Sequence, residues 1–186
     1  MQIAVGQTHI MSSIVIYFSR SGNNWVNDGV ANLEVGNCEI LAKYTQQKTN
    51  SDIFRIETKR QYTDDYYKAK DEAKEELERN ARPELVSYPE NMEKYDTIYL
   101  VFPIWFSNCP MAVFSLLERY DFGGKTIVPL CSHEGGGVGE SVENIKNIAK
   151  GAIVKDIYET RGYKCQNLAN DKIMQNGINA FLEKNK

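Results

Sequence analysis

The run Ile98-Tyr99-Leu100-Val101-Phe102 contains no charged residue and no strict polar alternation. A strand with one wetted face alternates apolar and polar side chains, whereas a strand covered on both faces does not, and that pattern belongs to parallel sheets sandwiched by helices. Four more runs rich in β-branched and aromatic residues accompany it, at Ile14 to Phe18, Ile53 to Glu57, Thr126 to Cys131 and Ala152 to Tyr158. Between them, Asn37 to Thr49, Met111 to Tyr120, Val142 to Lys150 and Asp171 to Lys184 carry apolar residues three or four apart, as in Ile173, Ile178, Phe181 and Leu182. Strand and helix therefore alternate, which predicts a doubly wound α/β domain with right-handed crossovers. At 186 residues the chain suits one domain with insertions better than two domains.

Two segments exceed that plan. Residues 62 to 94 place Tyr62, Tyr66, Ala69, Ala73 and Leu77 on a narrow stripe, which predicts an extra half-exposed helix between strands 2 and 3, ended by Arg82-Pro83. Residues 25 to 36 show no helical period and are expected to form an inserted loop. Met11 stands just before the first strand, so residues 1–12 read as an N-terminal extension to a domain spanning 13–186.

Composition excludes several function classes. The net charge of -3 lacks the positive footprint of a nucleic-acid binder. Residues 62 to 93 hold ten acidic against five basic side chains, so the acidic character belongs to that segment. The longest apolar run is about half of the ~20 residues that cross a bilayer, and residues 1–10 lack the basic and apolar regions of a secretory signal. A cytoplasmic protein without a membrane span is expected. Cys38, Cys109, Cys131 and Cys165 are scattered, form no C-x-x-C pair and share the chain with only two histidines, which predicts reduced thiols and no metal site. No G-x-G-x-x-G follows a strand, no G-x-S-x-G elbow is present, and the ends of strands one and three lack the carboxylates of a phosphoacceptor domain.

Ligands of open parallel sheets bind beyond the carboxyl ends of the strands. Ser19-Arg20-Ser21 follows the first strand with hydroxyls and amides suited to a phosphate at a helix N-terminus. Pro103-Ile104-Trp105-Phe106-Ser107-Asn108 follows the third, with two aromatics suited to the face of a planar ligand. Ser132-His133-Glu134-Gly135-Gly136 follows the fourth and permits close backbone approach. Each loop taken singly also suits an ordinary role: a polar turn, a core cap, a flexible turn.

In order and spacing, the Y-F-S-R-x-G-N, P-x-W-F and C-x-H-x-G-G stretches of residues 17–23, 103–106 and 131–136 resemble the flavodoxin-like family, and the resemblance spans 13–186. It implies a sheet of order 2-1-3-4-5 and an FMN site. Ser19, Arg20 and Ser21 match the phosphate loop, and Asn37 and Cys38 are the helix-side contacts through their N–H groups. Pro103, Ile104, Trp105, Phe106 and Asn108 match the ring loop, and Ser132, His133, Glu134, Gly135 and Gly136 match its counterpart. Gly22-Asn23 and Gly36-Asn37 both resemble the turn that opens the first helix. Cys38 stands where the family usually has threonine. Flavodoxins that stabilise one-electron-reduced flavin commonly flip a peptide at a glycine in the ring loop, and residues 103–110 contain none; Asn108 is the residue there best able to adopt a left-handed conformation.

Two function classes follow. One is FMN-dependent redox, as an electron carrier or as a two-electron oxidoreductase served by a redox protein or an NAD(P)H- or quinone-type small molecule, with a homodimer among the expected forms. The other is a flavin-free binding or scaffold domain on the same fold.

Overall fold

The structure is a computed structural model, and it describes residues 12–186. The central strands are β1 (Ser13–Tyr17), β4 (Asp52–Arg55), β5 (Thr97–Pro103) and β6 (Thr126–His133), with β7 (Ile153–Val154) and β8 (Tyr158–Arg161) beside β6. They form one parallel sheet in the order β4-β1-β5-β6-β7, with β8 also paired to β6. Counted along the main sheet, this is the expected 2-1-3-4-5 order. The core of β5 behaves as its composition requires: Thr97 through Phe102 are all buried.

Alternation along β1 divides the core in two. Ile14 and Ile16 point to one face with Ile98, Leu116, Ile127 and Ile145, under α3 (Met111–Leu117) and α4 (Ser141–Ile148). Val15 and Tyr17 point to the other with Leu41, Val101, Leu130 and Ile178, under α1 (Asn37–Thr49) and α6 (Lys172–Lys184). Each fully buried Leu or Ile of these layers stabilises the fold by about 1.5–3 kcal/mol relative to exposure. A one-turn helix, α5 (Gly162–Cys165), buries Cys165 in the second layer.

Three expectations need correction. The segment 25–36 is no loop: β2 (Gly22–Val26) and β3 (Gly29–Leu33) form an antiparallel hairpin with Trp25 opposite Val30. Its two-residue turn is Asn27-Asp28, with Asn27 at φ 55°, a conformation asparagine tolerates better than most residues. The expected fifth strand, Ala152 to Tyr158, is split into β7 and β8: the Lys155 N–H makes the last bond to β6, to the Ile127 carbonyl at 2.9 Å, and Asp156 and Ile157 lie between the two separate pairings with β6. The extra helix exists as α2 (Tyr66–Glu78), capped by the Asp65 side chain accepting from the Lys68 N–H. It ends four residues before Arg82, where Asn80 turns left-handed at φ 48°, so Pro83 is not what stops it. Of the expected extension 1–12, residues 1–11 lie outside the described residues; Ser12 donates its N–H to Asp96 at 3.1 Å.

Candidate functional site

The carboxyl edge of the sheet collects all three predicted loops. Pro103 and Ser132 are register partners on β5 and β6, and the Ile104 N–H donates to the Ser132 carbonyl at 2.8 Å. The second and third loops therefore leave the sheet side by side. The first loop meets the start of α1: the buried Ser19 Oγ accepts from the Glu39 N–H at 3.0 Å. Gly36 is the N-cap of α1 and supplies no side-chain cap. A Cβ there would lie 2.3 Å from Ser19 Oγ and 2.4 Å from the Arg20 carbonyl oxygen, so only glycine lets the chain return this close to the first loop. Asn37 and Cys38, the first two residues of α1, have N–H groups with no hydrogen-bond partner among the described residues. Two free amides and a hydroxyl proton at the positive end of a thirteen-residue helix form an anion cradle. Glu39 does not oppose it, because its carboxylate is drawn to Lys43 at 2.6 Å and Arg55 at 3.5 Å.

The side chains of this rim divide into those facing the cradle and those occupied elsewhere. Arg20 turns away: its guanidinium donates to the carbonyl of Asn23, to that of Thr63 at 2.6 Å and to that of Asp64 at 2.9 Å. Burial holds its pKa below the usual arginine range. Arg20 thus ties the base of the β2–β3 hairpin to the leader of α2. Ser21 is exposed, and its carbonyl shares the Asn24 amide with those of Arg20 and Gly22. The Cys38 thiol points into the core, 3.1 Å from Ser132 Oγ, and burial pushes its pKa up to about 12. It is an uncharged linker between α1 and the third loop rather than a nucleophile.

In the second loop, Trp105 lies edge-to-face against Phe18 at 5.3 Å and Tyr62 at 5.2 Å, which fixes the orientation of its indole. Trp105 and Asn108 exchange backbone hydrogen bonds of 2.8 and 3.0 Å around a two-residue turn. Both turn residues, Phe106 and Ser107, have positive φ, 49° and 59°, the pattern of a type I′ turn usually filled by glycine and asparagine. Asn108, expected to take that conformation, is instead buried and caps the Cys109 N–H with its side chain. What holds the strained pair is tertiary: the Ser107 carbonyl accepts from the Glu140 N–H at 2.8 Å. A Cβ on Gly139 would fall 2.0 Å from the Ser107 oxygen. Phe106 is left 39% exposed at the rim.

In the third loop, His133 Nδ1 accepts from the Gly135 N–H at 3.0 Å and Nε2 faces Glu159 at 3.2 Å. Both ring nitrogens are committed to fixing the loop. The Glu134 carbonyl accepts from Arg161 at 2.6 Å. One of its carboxylate oxygens accepts from the Asn27 N–H at the hairpin tip, at 3.3 Å. The other is buried beside Gly162. Burial raises the Glu134 pKa. The hairpin consequently crosses the rim from the first loop to the third. Among the described residues no cluster of His, Cys, Asp and Glu could hold a metal, and no helix is long and apolar enough to cross a membrane.

An open doubly wound sheet whose rim joins an anion cradle, a fixed aromatic loop and a glycine-rich loop defines a protein of the flavodoxin-like class. The chain belongs to the flavodoxin family, whose model matches residues 12–184. Solved structures share the fold at low identity. A protein of Bacteroides uniformis ATCC 8492 is 21% identical, with a TM-score of 0.67 over 87% of this chain and 99% of that one. The flavoprotein of Lactobacillus acidophilus NCFM, solved in complex with FMN, is 16% identical, with a TM-score of 0.60 over 81% and 93%. An NADH:FMN oxidoreductase in its apo form is 14% identical, with a TM-score of 0.54 over 94% and 88%. No curated protein matches the chain.

Proposed function

We propose that this protein binds FMN non-covalently and uses it in oxidoreduction, predominantly in two-electron steps. The carrying observation is the pair of free amides on Asn37 and Cys38 beside the Ser19 hydroxyl, on the same rim as Trp105 and Phe106. A phosphate fits there with Ser19, Ser21, Asn37 and Cys38 as donors. Trp105 and Phe106 offer the aromatic faces for the ring. Ser132, His133, Glu134, Gly135 and Gly136 form the opposing loop, and Pro103, Ile104 and Asn108 shape the turn that presents the aromatics. When bound, the isoalloxazine supplies the redox chemistry and the protein supplies position and electrostatics. Family membership and the fold shared with an FMN complex support this reading. The electron source is a reduced nicotinamide dinucleotide or a redox protein.

The preference for two-electron steps rests on the second loop. Its positive-φ peptide is anchored by the Glu140 N–H and by the close approach of Gly139, so reorienting the Ser107 carbonyl breaks a tertiary hydrogen bond. Titrating the protein into FMN should quench flavin fluorescence with a Kd below about 10 µM, near -7 kcal/mol; unchanged fluorescence and colourless protein after reconstitution would leave a flavin-free binding domain as the reading. Stepwise anaerobic reduction of the loaded protein should pass from yellow to colourless. A large, stable absorption of one-electron-reduced flavin at half reduction would refute the two-electron preference.

A further inference from the structure

Trp105 takes its orientation from two neighbours that are themselves held by different means. Phe18, Tyr62 and Trp105 form a closed triangle of rings, each edge-to-face to the other two at 5.2–6.0 Å and 86–87°. Phe18 follows β1, is buried and donates its N–H to the Val101 carbonyl at 3.0 Å, so the sheet fixes it. Tyr62 lies in the irregular leader of α2 and makes one hydrogen bond among the described residues: its hydroxyl donates to Glu76 at 2.6 Å. One corner of the triangle is thus anchored by backbone, the other by a carboxylate on α2.

That second anchor is titratable. A hydroxyl donating to a carboxylate makes a charge-assisted bond, roughly twice as strong as the bond to a neutral acceptor. Burial raises the Glu76 pKa against the opposing effect of the Tyr62 bond; Glu72 raises it further, and Arg60 and Arg79 lower it. Glu75 shares the small cavity that Glu76 and Tyr62 line. Both arginines are engaged by other carboxylates, Arg60 by Glu72 at 3.5 Å and Arg79 by Glu75 at 3.3 Å, so it is Tyr62 that bonds the Glu76 carboxylate. Ionisation then has two consequences of opposite sign. Because folding raises the pKa, the stability Glu76 contributes is present below its unfolded value and falls as pH rises through the folded one. The grip on Tyr62 tightens over the same rise, because the carboxylate is the stronger acceptor.

We propose that Glu76 is a positioning residue of the ring site: its carboxylate, through the Tyr62 hydroxyl, holds the Trp105 indole at the angle presented to the flavin, and loss of its charge loosens that hold. The role in flavin binding rests on the function proposed above, whereas the coupling of Glu76 to Trp105 is measurable without flavin. Glu76→Gln keeps an uncharged acceptor, and Tyr62→Phe removes the donor while keeping the ring. Two readouts test them: the Trp105 indole N–H resonance of the flavin-free protein, assigned against Trp25 with Trp25→Phe, and FMN affinity by fluorescence titration. The parent resonance should shift as pH falls from neutral toward the ordinary glutamate value of about 4.3, and should stay flat in both variants. At neutral pH each variant should bind FMN about threefold more weakly, the scale of the difference between a charged and a neutral acceptor. The double variant should lose no more than the weaker single one. Glu76→Gln should nonetheless be no less stable than the parent to urea at neutral pH, so affinity and stability part company, which a purely structural role does not produce. In acid the parent's affinity should converge on that of Glu76→Gln; the phosphate of FMN titrates against both proteins, so their ratio isolates Glu76. Should Tyr62→Phe fail to fold, Glu76→Gln decides alone. An indole resonance that follows pH alike in parent and Glu76→Gln, equal FMN affinity in all the proteins, or additive losses in the double variant would overturn the proposal. An indole that titrates only in the parent, in protein that fails to bind FMN, would uphold the hold on Trp105 and refute the flavin reading.

Discussion

The two inserted segments, the β2–β3 hairpin and α2, meet at Trp25 and Tyr66, whose rings are 5.9 Å apart, but they are held by different forces. Of the hairpin's ten strand residues only Leu33 is buried. Apart from the Trp25–Tyr66 ring contact, the rest of its attachment is polar: Arg20 on the Asn23 carbonyl, the Asn24 amide over the first loop, the Asn27 N–H on Glu134. α2 instead buries Ala69 and Ala73, and the Tyr62 hydroxyl of its leader donates to Glu76 at 2.6 Å. An element with little buried apolar surface and exposed hydrogen bonds opens at lower free energy than one docked by an apolar face. The side of the rim built by the hairpin is therefore the adaptable one, and the side built by α2 and Trp105 is the fixed one.

The sharpest way to break this contrast is at the hairpin's point of return. Gly36→Ala introduces a Cβ into the contact with Ser19 and the Arg20 carbonyl, and overpacking of this kind costs about 1–3 kcal/mol. Urea denaturation should show that loss. FMN affinity should fall at least tenfold, because the same shift displaces the free amides of α1. Retained affinity would place the phosphate elsewhere.

Trp105→Ala acts on the fixed side. It removes two edge-to-face contacts from a partly buried ring, for about 2 kcal/mol of stability, below the 3–5 kcal/mol of fully buried cases. FMN binding should weaken by about 0.5–1.5 kcal/mol in a fluorescence titration. Equal affinity in the folded variant would make Trp105 a cap on the core alone.

The smallest effect is expected at the hairpin tip, and it is pH-dependent. The folded state raises the Glu134 pKa by burial, so between its unfolded value of about 4.3 and its higher folded value the native chain binds more protons than the unfolded one. Stability contributed by this group is thus present below the unfolded pKa and falls as pH rises through the folded pKa. Glu76, also raised by burial, adds the same sign. Glu134→Gln should be slightly more stable than the parent at pH 7 and should flatten, without abolishing, the decline that sets in as pH rises above the unfolded value of about 4.3. Hydrogen exchange at Asn27 provides the local readout, and an unchanged slope would remove Glu134 from the hairpin's attachment.

Elements whose period is carried by their own side chains were legible in the sequence. Asn37–Thr49 forms a helix at the bounds its apolar spacing predicts, and Thr97–Phe102 is buried on both faces as its composition demands. The hairpin had a local signal too, Asn27-Asp28-Gly29 between Trp25-Val26 and Val30, a turn sequence flanked by strand formers. It was outweighed by the polar residues around it, since a hairpin packed mainly through polar contacts shows no apolar alternation. The break between β7 and β8 was hidden for a related reason: Tyr158–Arg161 carries three consecutive polar residues, Glu159, Thr160 and Arg161, and becomes a strand only because β6 offers a second stretch, Leu130–His133, to pair with.

What the sequence by itself determined was the sheet, its order of elements, and which three loops reach the rim, because burial and periodicity act over a few residues. Only the tertiary structure decided how those loops are used. Arg20 turns to carbonyls at 63 and 64, the Cys38 thiol turns to Ser132, and Phe106 and Ser107 take positive φ under a hydrogen bond from Glu140. Each of these is fixed by a partner more than thirty residues away in the chain. Local preference is worth about a kilocalorie per mole per residue, and a long-range hydrogen bond or a close packing contact is enough to override it.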